Sequence, residues 1–388
     1  MRTSRAPMPG QTRALAALRP RKQAADSLGP AGDRLAGFDF SRHNEEVCAT
    51  WAAYHAGRPV RTPILPGVNT RYYMRHPAAN PEGLSFDRYF EDPDVMFEAQ
   101  LRFQRWSRFN LLQDADLGMP ERWQIFVDFQ NSYEAAWFGC PIAFCEGEVP
   151  DTRPAFAGCP ERVMERGLPD PFAGIMGRGL EYYERFRERA TRETFLDRPI
   201  AVMPPGFGIG SDGPMTVACN LFGPDFVCLA LAAEPERLGR LLEFITTAAI
   251  ARMRAWRHRV GIPVPQDGFM MADDSIALIS TAMLRAHVLP HLQRIYAALG
   301  TSVERGIHLC GNSTRHFRTL RDTLGIRLFD TGFPVDFGRL RRELGPDVRL
   351  QGGPHVELLR AGTPGLVYEE ARRILQSGVL EGGLFVLR

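Results

Sequence analysis

A histidine and a cysteine stand two residues apart in the apolar segment 306–311, which ends at a glycine. Because side chains on a β-strand alternate between its two faces, His308 and Cys310 are predicted to point to the same side. A neutral imidazole and a thiolate together are typical ligands of zinc. The same pair also fits a buried thiol beside a core histidine, so these two residues alone leave both interpretations open.

Further polar residues come where predicted apolar strands end. They are Asp273, Asp274 and Ser275 after a strand over 268–272, Asn312 after the strand of His308 and Cys310, Asp330 after a strand over 326–329, and His355 after a strand over 348–351. A carboxylate or an imidazole in such a place needs a partner or a ligand, because burying it alone costs free energy. The repeated placement therefore indicates a functional site rather than independent structural roles.

The elements that must position these residues alternate regularly along the chain. Strands are predicted near 60–65, 124–129, 199–203, 268–272, 305–309, 326–329, 348–351 and 383–387. Helices are predicted over 41–57, 91–113, 174–193, 235–259, 281–299, 314–323, 337–344 and 364–377. This order predicts an α/β fold, a (β/α)8 TIM-type barrel with an N-terminal helical elaboration, and an open doubly wound sheet is the alternative. In such barrels the chemistry lies at the carboxyl ends of the strands.

Length and composition limit the classes of function. A formal net charge of +2 on 388 residues argues against nucleic acid or an anionic membrane as a partner. The seven cysteines form an odd set without framework spacing, which favours reduced thiols in a cytoplasmic protein. The chain contains no run of about 18 apolar residues, so its sequence predicts no membrane-spanning segment.

The N-terminal segment differs in composition from the rest of the chain. Residues 1–40 mix proline, glycine and alanine with several arginines, and no acidic residue precedes Asp26. This composition predicts a disordered tail, with a transit peptide as the alternative. Residues 41–388 are then predicted to form one barrel domain.

Several segments along the chain carry a family resemblance. They are HAGRPVRTPI, GPMTVACNLFG, DDSIALIS, GIHLCGN, LGPDVRLQGGPHVELLRAGTP and GGLFVLR. Through them residues 41–388 resemble the uroporphyrinogen decarboxylase superfamily, and within it the cobamide-dependent methyltransferases such as methylcobamide:coenzyme M methyltransferase. The HLCGN element is the more specific segment, because true decarboxylases differ there and carry an N-terminal arginine signature that we do not find at 41–60.

The resemblance implies that His308 and Cys310 bind zinc together with a further cysteine beyond the last strand. This chain has no cysteine after Cys310 and ends at Arg388, where family members continue through a last loop and helix, so a missing last helix is expected. Two explanations stay open: either the chain is truncated, or the third ligand comes from elsewhere. The candidates by strand-end position are His355, Asp273, Asp274 and Asp330. We expect His355 first, because imidazole is the softest of these donors.

The implied activity is zinc-dependent methyl transfer between a corrinoid, held on a separate protein, and a small thiol or related acceptor. Asp273 and Asp274 are the predicted catalytic carboxylates, which orient a ligand or hold the polar end of the substrate. Ser275, Asn312 and Asp330 are predicted to contact the substrate. Two alternatives stay open: a porphyrinogen decarboxylase, in which a carboxylate such as Asp273 stabilises cationic pyrrole nitrogens, and a catalytically degenerate barrel that acts as a partner subunit.

Overall fold

The computed structural model describes residues 33–146 and 148–388. They divide into two compact units. Among the described residues, the first unit joins 33–68 with Trp106–Met119 and Arg327–Arg388, and the second joins Asn69–Arg105 with Pro120–Ile326. Most of the predicted tail, residues 1–32, lies outside the described residues, and its last part contains a turn over 34–37 before the first helix.

Strands and helices alternate through most of the chain, and the predicted α/β class is confirmed. The strands are β1 Trp123–Ile125, β2 Ile142–Ala143, β3 Asp151–Thr152, β4 Thr194–Phe195, β5 Arg198–Val202, β6 Met270–Ala272, β7 Gly306–Leu309, β8 Leu328–Thr331, β9 Arg349–Gly352 and β10 Phe385–Leu387. The helices are α1 Phe40–His55, α2 Thr70–Arg75, α3 Phe86–Glu91, α4 Pro93–Asn110, α5 Tyr133–Phe138, α6 Ile175–Arg192, α7 Gly206–Ile209, α8 Pro214–Phe222, α9 Pro224–Ala233, α10 Pro235–Val260, α11 Thr281–Met283, α12 Leu289–Leu299, α13 Phe317–Leu324, α14 Phe337–Leu344, α15 Val356–Ala361 and α16 Pro364–Leu375.

Parallel strand pairs position the candidate site in the second unit. Strand β6 pairs in parallel with β7, and the register places Ala272 opposite His308. Strand β1 pairs in parallel with β5, while β4 is antiparallel to β5 and β2 is antiparallel to β3. Because β6 and β7 run in the same direction, the segments that follow them leave at the same edge.

In the first unit, β9 pairs in parallel with both β8 and β10. The strand predicted near 60–65 is reduced to a single parallel bridge between Ile64 and Leu387. Pro63 and Pro66 flank Ile64, and proline has no N–H to donate to a strand ladder, which explains why pairing does not extend. The seven other predicted strands are present within a few residues of their predicted limits.

Several predicted helices have different limits in the structure, and for two of them the first residues show why. The first helix, predicted over 41–57, covers Phe40–His55 and is capped by Asp39, whose Oδ1 accepts the Arg42 N–H at 3.1 Å. The helix predicted over 91–113 corresponds to α4, which begins at Pro93, and a separate short helix, α3, ends at Glu91. Pro93 disfavours helical geometry at the preceding residue, and the Asp92 carboxylate accepts the Asp94 N–H at 2.9 Å to begin α4.

The long helix α10 forms the core of the second unit. Leu238, Leu241, Leu242, Ile245 and Trp256 are buried at the helical spacing that the sequence predicted. In the described part of the chain, no helix is by itself long and apolar enough to cross a membrane, although the bent pair α8 and α9 passes that test when both helices are taken together.

Candidate metal centre

His308 in β7 and Cys310, the residue directly after β7, place a nitrogen donor and a sulfur donor on the same side. His308 Nε2 lies 3.2 Å from Cys310 Sγ. Ile307 and Leu309, the residues that alternate with them, are completely buried in the core. The alternation predicted from the sequence is therefore what the strand shows, and the polar pair faces away from the core with Cys310 exposed.

Asp274 is the third donor at this place. The parallel pairing continues beyond β6, where the Asp273 N–H donates to the His308 carbonyl at 3.3 Å. One residue further on, Asp274 Oδ1 accepts the Cys310 N–H at 2.6 Å and lies 3.9 Å from His308 Nε2. Within residues 33–146 and 148–388, Asp274, His308 and Cys310 form the group of acidic, histidine and cysteine side chains whose donor atoms all lie within 4.8 Å of one another.

The spacing of these donors fits a tetrahedral zinc ion. Zinc–ligand bonds of about 2.0–2.3 Å separate tetrahedral ligand atoms by roughly 3.3–3.8 Å. The His308–Cys310 separation of 3.2 Å lies just below that range, and the His308–Asp274 separation of 3.9 Å lies just above it. One imidazole, one thiolate and one carboxylate also form a donor set that zinc accepts. Small side-chain rotations would therefore suffice to bind the ion.

Asp273 has a different environment from its neighbour. It is completely buried, and its carboxylate accepts the N–H and the hydroxyl of Thr216, both at 2.9 Å, and the Met215 N–H at 3.3 Å. These donors belong to the first turn of α8, where a carboxylate is favourable. Burial raises the pKa of Asp273 to about 7, and the hydrogen bonds from Thr216 and Met215 oppose that rise. The carboxylate thus joins α8 to the end of β6.

Gly213 makes this contact geometrically possible. Its φ is +85°, and a Cβ at this position would lie 2.4 Å from the Ala272 carbonyl oxygen and 2.5 Å from the Asp273 Cγ. A side chain would meet both the unfavourable dihedral angle and the strand end. The segment before α8 can therefore approach Asp273 only with glycine at this position.

A buried ion pair supports the same glycine-rich segment. Glu134 and Arg252 are almost fully buried and meet at 2.6 Å. Glu134 also accepts the Ser211 hydroxyl at 3.1 Å and the Asp212 N–H at 2.8 Å, and Arg252 donates to the Gly210 carbonyl at 2.9 Å. Because each charge is both paired and hydrogen-bonded, the pair can hold the segment in the interior.

Asp212 is a carboxylate that the sequence analysis did not identify. Its side chain is half-buried. Burial, together with the charges of Glu134 and Asp274, raises the pKa of Asp212 to about 8. A carboxyl group that stays protonated near neutral pH can donate a proton or a hydrogen bond. The only sequence signal for it is the glycine-rich run around it, which does not single out this residue.

The predicted substrate contacts Ser275 and Asn312 lie on the two loops of the centre. The Ser275 N–H donates to the Thr216 hydroxyl at 3.0 Å, which adds to the contact between this loop and α8. Asn312 is exposed, and its carbonyl accepts a hydrogen bond from Arg315 at 2.8 Å. Both residues therefore lie close in sequence to the donors, and their substrate role stays a prediction.

Asp330 and His355 belong to the first unit. Asp330 lies within β8, one residue before its end, and pairs with Arg388 at 2.7 Å. His355 is exposed, its Nδ1 accepts the Glu357 N–H at 3.0 Å, and its ring lies 3.8 Å from that of Phe333. The hydrogen bond from the Glu357 N–H makes His355 the N-cap of α15. The donor group described above consists of Asp274, His308 and Cys310. The assignment of His355 as third ligand stays a prediction.

Sequence comparison assigns the family. The sequence model of the uroporphyrinogen decarboxylase (URO-D) family matches residues 49–387 of this chain. This match covers most of the 388 residues, including β6, β7 and the three donors. The chain belongs to the uroporphyrinogen decarboxylase family.

Two curated relatives and one solved structure resemble the chain in part or in whole. A uroporphyrinogen decarboxylase of Pelobacter propionicus is 27% identical over 50% of this chain and 56% of the relative, and one of Nocardia farcinica is 29% identical over 37% and 39%. The chain thus spans about half the length of these relatives or less. A methyltransferase from Methanosarcina mazei superposes with a TM-score of 0.52 at 17% identity, over 88% of this chain and 92% of that one, which shows a similar fold.

Proposed function

We propose that this chain is a zinc-dependent methyltransferase that moves a methyl group between a corrinoid, carried by a separate protein, and a small thiol or related acceptor. The observation that carries the proposal is the convergence of Asp274, His308 and Cys310 after two neighbouring parallel strands. The HLCGN segment supports it through its resemblance to cobamide-dependent methyltransferases. The closed eight-stranded barrel is part of the proposal, since the parallel pairs fit that fold.

The three donors would have distinct roles. The His308 imidazole and the Cys310 thiolate would hold the ion, and Asp274 would complete three protein ligands, which leaves one position for substrate. Zinc bound there would lower the pKa of a substrate thiol, so that the thiolate is available at neutral pH. Asp274 also fixes the main chain of Cys310, because it accepts the Cys310 N–H at 2.6 Å. The Asp274 side chain would therefore both orient Cys310 and be a zinc ligand itself.

Asp274 is our choice for the third ligand. Its carboxylate lies close to both other donors, and it belongs to the same unit as they do. Asp273, the adjacent carboxylate, is engaged by the first turn of α8. A harder oxygen donor in place of a second sulfur would make the ion more electrophilic, which favours acidification of the incoming thiol.

Metal analysis of the purified protein tests the proposal. We expect close to one zinc per chain, and we expect both Cys310→Ser and Asp274→Asn to lose most of it. Cys48→Ser is the matched control, because Cys48 is an exposed thiol on α1 and its loss should leave the zinc content unchanged. Methyl transfer is then followed by the visible spectrum of methylcobalamin in the presence of a panel of small thiols.

Opposite outcomes would reject the proposal. A folded wild-type protein that binds no zinc would remove the metal chemistry and would favour the catalytically degenerate barrel. Zinc that persists in Cys310→Ser would place the ion elsewhere. Circular dichroism of each variant separates loss of metal from loss of fold.

Decarboxylation of a porphyrinogen is the second candidate function, favoured by the names of the two curated relatives. That reaction needs a carboxylate to stabilise a cationic pyrrole nitrogen. Asp273 is poorly suited, because it is completely buried. Asp128 is better suited, since it follows β1 and is half-buried, with Thr70, Tyr89 and Gln130 donating hydrogen bonds to its carboxylate. Porphyrin fluorescence after incubation with uroporphyrinogen, in wild type and in Asp128→Asn, tests this candidate.

A further inference from the structure

The side chain of Arg315 lies between the two loops that carry the donors. Its Nε donates to the Ile279 carbonyl at 2.9 Å, and its Nη1 donates to the Asn312 carbonyl at 2.8 Å. Its Nη2 donates to Ile279 at 2.8 Å and also to the Ala277 carbonyl. One guanidinium thus binds the segment that follows Asp274 and the segment that follows Cys310.

The bonds of Arg315 use the geometry of a guanidinium. A planar group with five donors in fixed directions can bridge carbonyls on separate segments, whereas an ammonium cannot do so in the same way. The four hydrogen bonds of Arg315 go to main-chain carbonyls and therefore act on backbone position. This use of the side chain differs from the surface ion pairs that other arginines of the chain form.

The residue that follows Arg315 strengthens the connection. The His316 imidazole is fully buried, with Nε2 at 2.9 Å from the Ile276 carbonyl and Nδ1 at 3.2 Å from the Thr281 hydroxyl. The Thr281 hydroxyl also donates to the Arg315 carbonyl at 3.2 Å. The segment 274–281 is therefore fixed at both of its ends to the segment that follows β7.

The two loops also meet directly at Gly311. Its φ is +70°, and a Cβ there would lie 3.3 Å from the Ala277 Cβ. The Cys310 N–H on one side of this contact donates to Asp274 on the other. Any relative shift of the two loops would change the spacing between the Asp274 carboxylate and the Cys310 sulfur.

We propose that Arg315 is a positioning residue of the metal centre, whose guanidinium sets the spacing between Asp274 and Cys310 and thereby the affinity for zinc. The inference rests on the proposed zinc site. Groups that orient metal ligands commonly change metal affinity by roughly 10–100-fold when they are removed. Arg315 would act through the backbone of both loops and without touching the ion.

Zinc and cobalt(II) titrations of three variants test this role. Arg315→Gln should bind zinc roughly 10–100-fold more weakly in competition with a chromophoric chelator. Its cobalt(II) form should show a weaker or shifted thiolate band in the visible spectrum. Arg315→Lys, which keeps the charge but cannot bridge both loops, should lie between wild type and Arg315→Gln. Arg318→Gln is the control, since Arg318 is an exposed arginine whose partner is Asp322, and its zinc affinity should equal that of wild type.

The outcomes separate this inference from the proposed function. Wild-type protein without zinc would overturn both. Wild-type zinc affinity and an unchanged cobalt spectrum in Arg315→Gln, with only thermal stability lowered, would overturn the positioning role and leave the zinc site intact. If Arg315→Gln does not fold, Arg315→Lys decides the question by the same two titrations, and an unaltered affinity and spectrum there refute the role.

Discussion

The buried His316 should make the protein less stable in mild acid. The ring is completely buried, and both ring nitrogens have partners, in Ile276 and Thr281. Burial, with a smaller contribution from the charge of Arg315, lowers the pKa of His316 from 6.5 to about 4. Because the unfolded chain binds the proton more tightly than the folded chain, stability is lost as the pH falls from about 6.5 to about 4.

The size of this effect follows from the two pKa values. Proton linkage with 6.5 in the unfolded state and about 4 in the folded state gives a loss of about 2 kcal/mol between pH 7.5 and pH 5. Raised carboxyl pKa values act in the opposite direction, since Asp212 and Asp273 favour the folded state as the pH falls. The contribution of His316 must therefore be measured as a difference between two proteins.

Chemical denaturation of wild type and His316→Gln at pH 7.5 and pH 5, with a chelator present, provides that difference. Glutamine can keep the hydrogen bond to the Ile276 carbonyl but cannot take up a proton. The variant should lose about 2 kcal/mol less than wild type between the two pH values. An equal loss in both proteins would refute the reasoning, because it would mean that the imidazole titrates alike in the folded and unfolded states. The slopes of the denaturation curves should agree, as a check that both proteins unfold alike.

Two further substitutions test the support of the centre. Glu134→Gln leaves the buried Arg252 without its counter-charge and should lower the free energy of unfolding by about 3–5 kcal/mol in chemical denaturation; a change below about 1 kcal/mol would contradict a buried ion pair. Gly213→Ala places a Cβ against Ala272 and Asp273 at positive φ and should cost about 2 kcal/mol or more and reduce bound zinc, whereas Gly239→Ala, an open helical position, should be neutral or stabilising. If Gly213→Ala binds as much zinc as wild type, the close contact of Gly213 with Ala272 and Asp273 does not position the end of β6.

The strand limits predicted from the sequence agree with the structure where the local residue pattern alone determines them. The strand over 305–309 and those that follow it were identifiable because their apolar runs are bounded by glycine and polar residues. The first predicted strand was wrong in extent, because prolines around Ile64 remove the donors that a ladder needs. The start of α4 at Pro93, and not at residue 91, was readable in principle from that proline. A proline, Pro290, likewise follows the π-helical turn at Leu284–Val288.

What the sequence by itself determined is the pairing of His308 with Cys310, since a strand repeats every two residues and puts both on one face. The sequence did not determine which residue supplies the third donor beside them. Asp274 lies 36 residues from Cys310 in the chain, and only the parallel pairing of β6 with β7 brings the two together. Nor could it separate Asp273 from Asp274, because these adjacent carboxylates differ only in what packs against them, the first turn of α8 in one case and the Cys310 loop in the other.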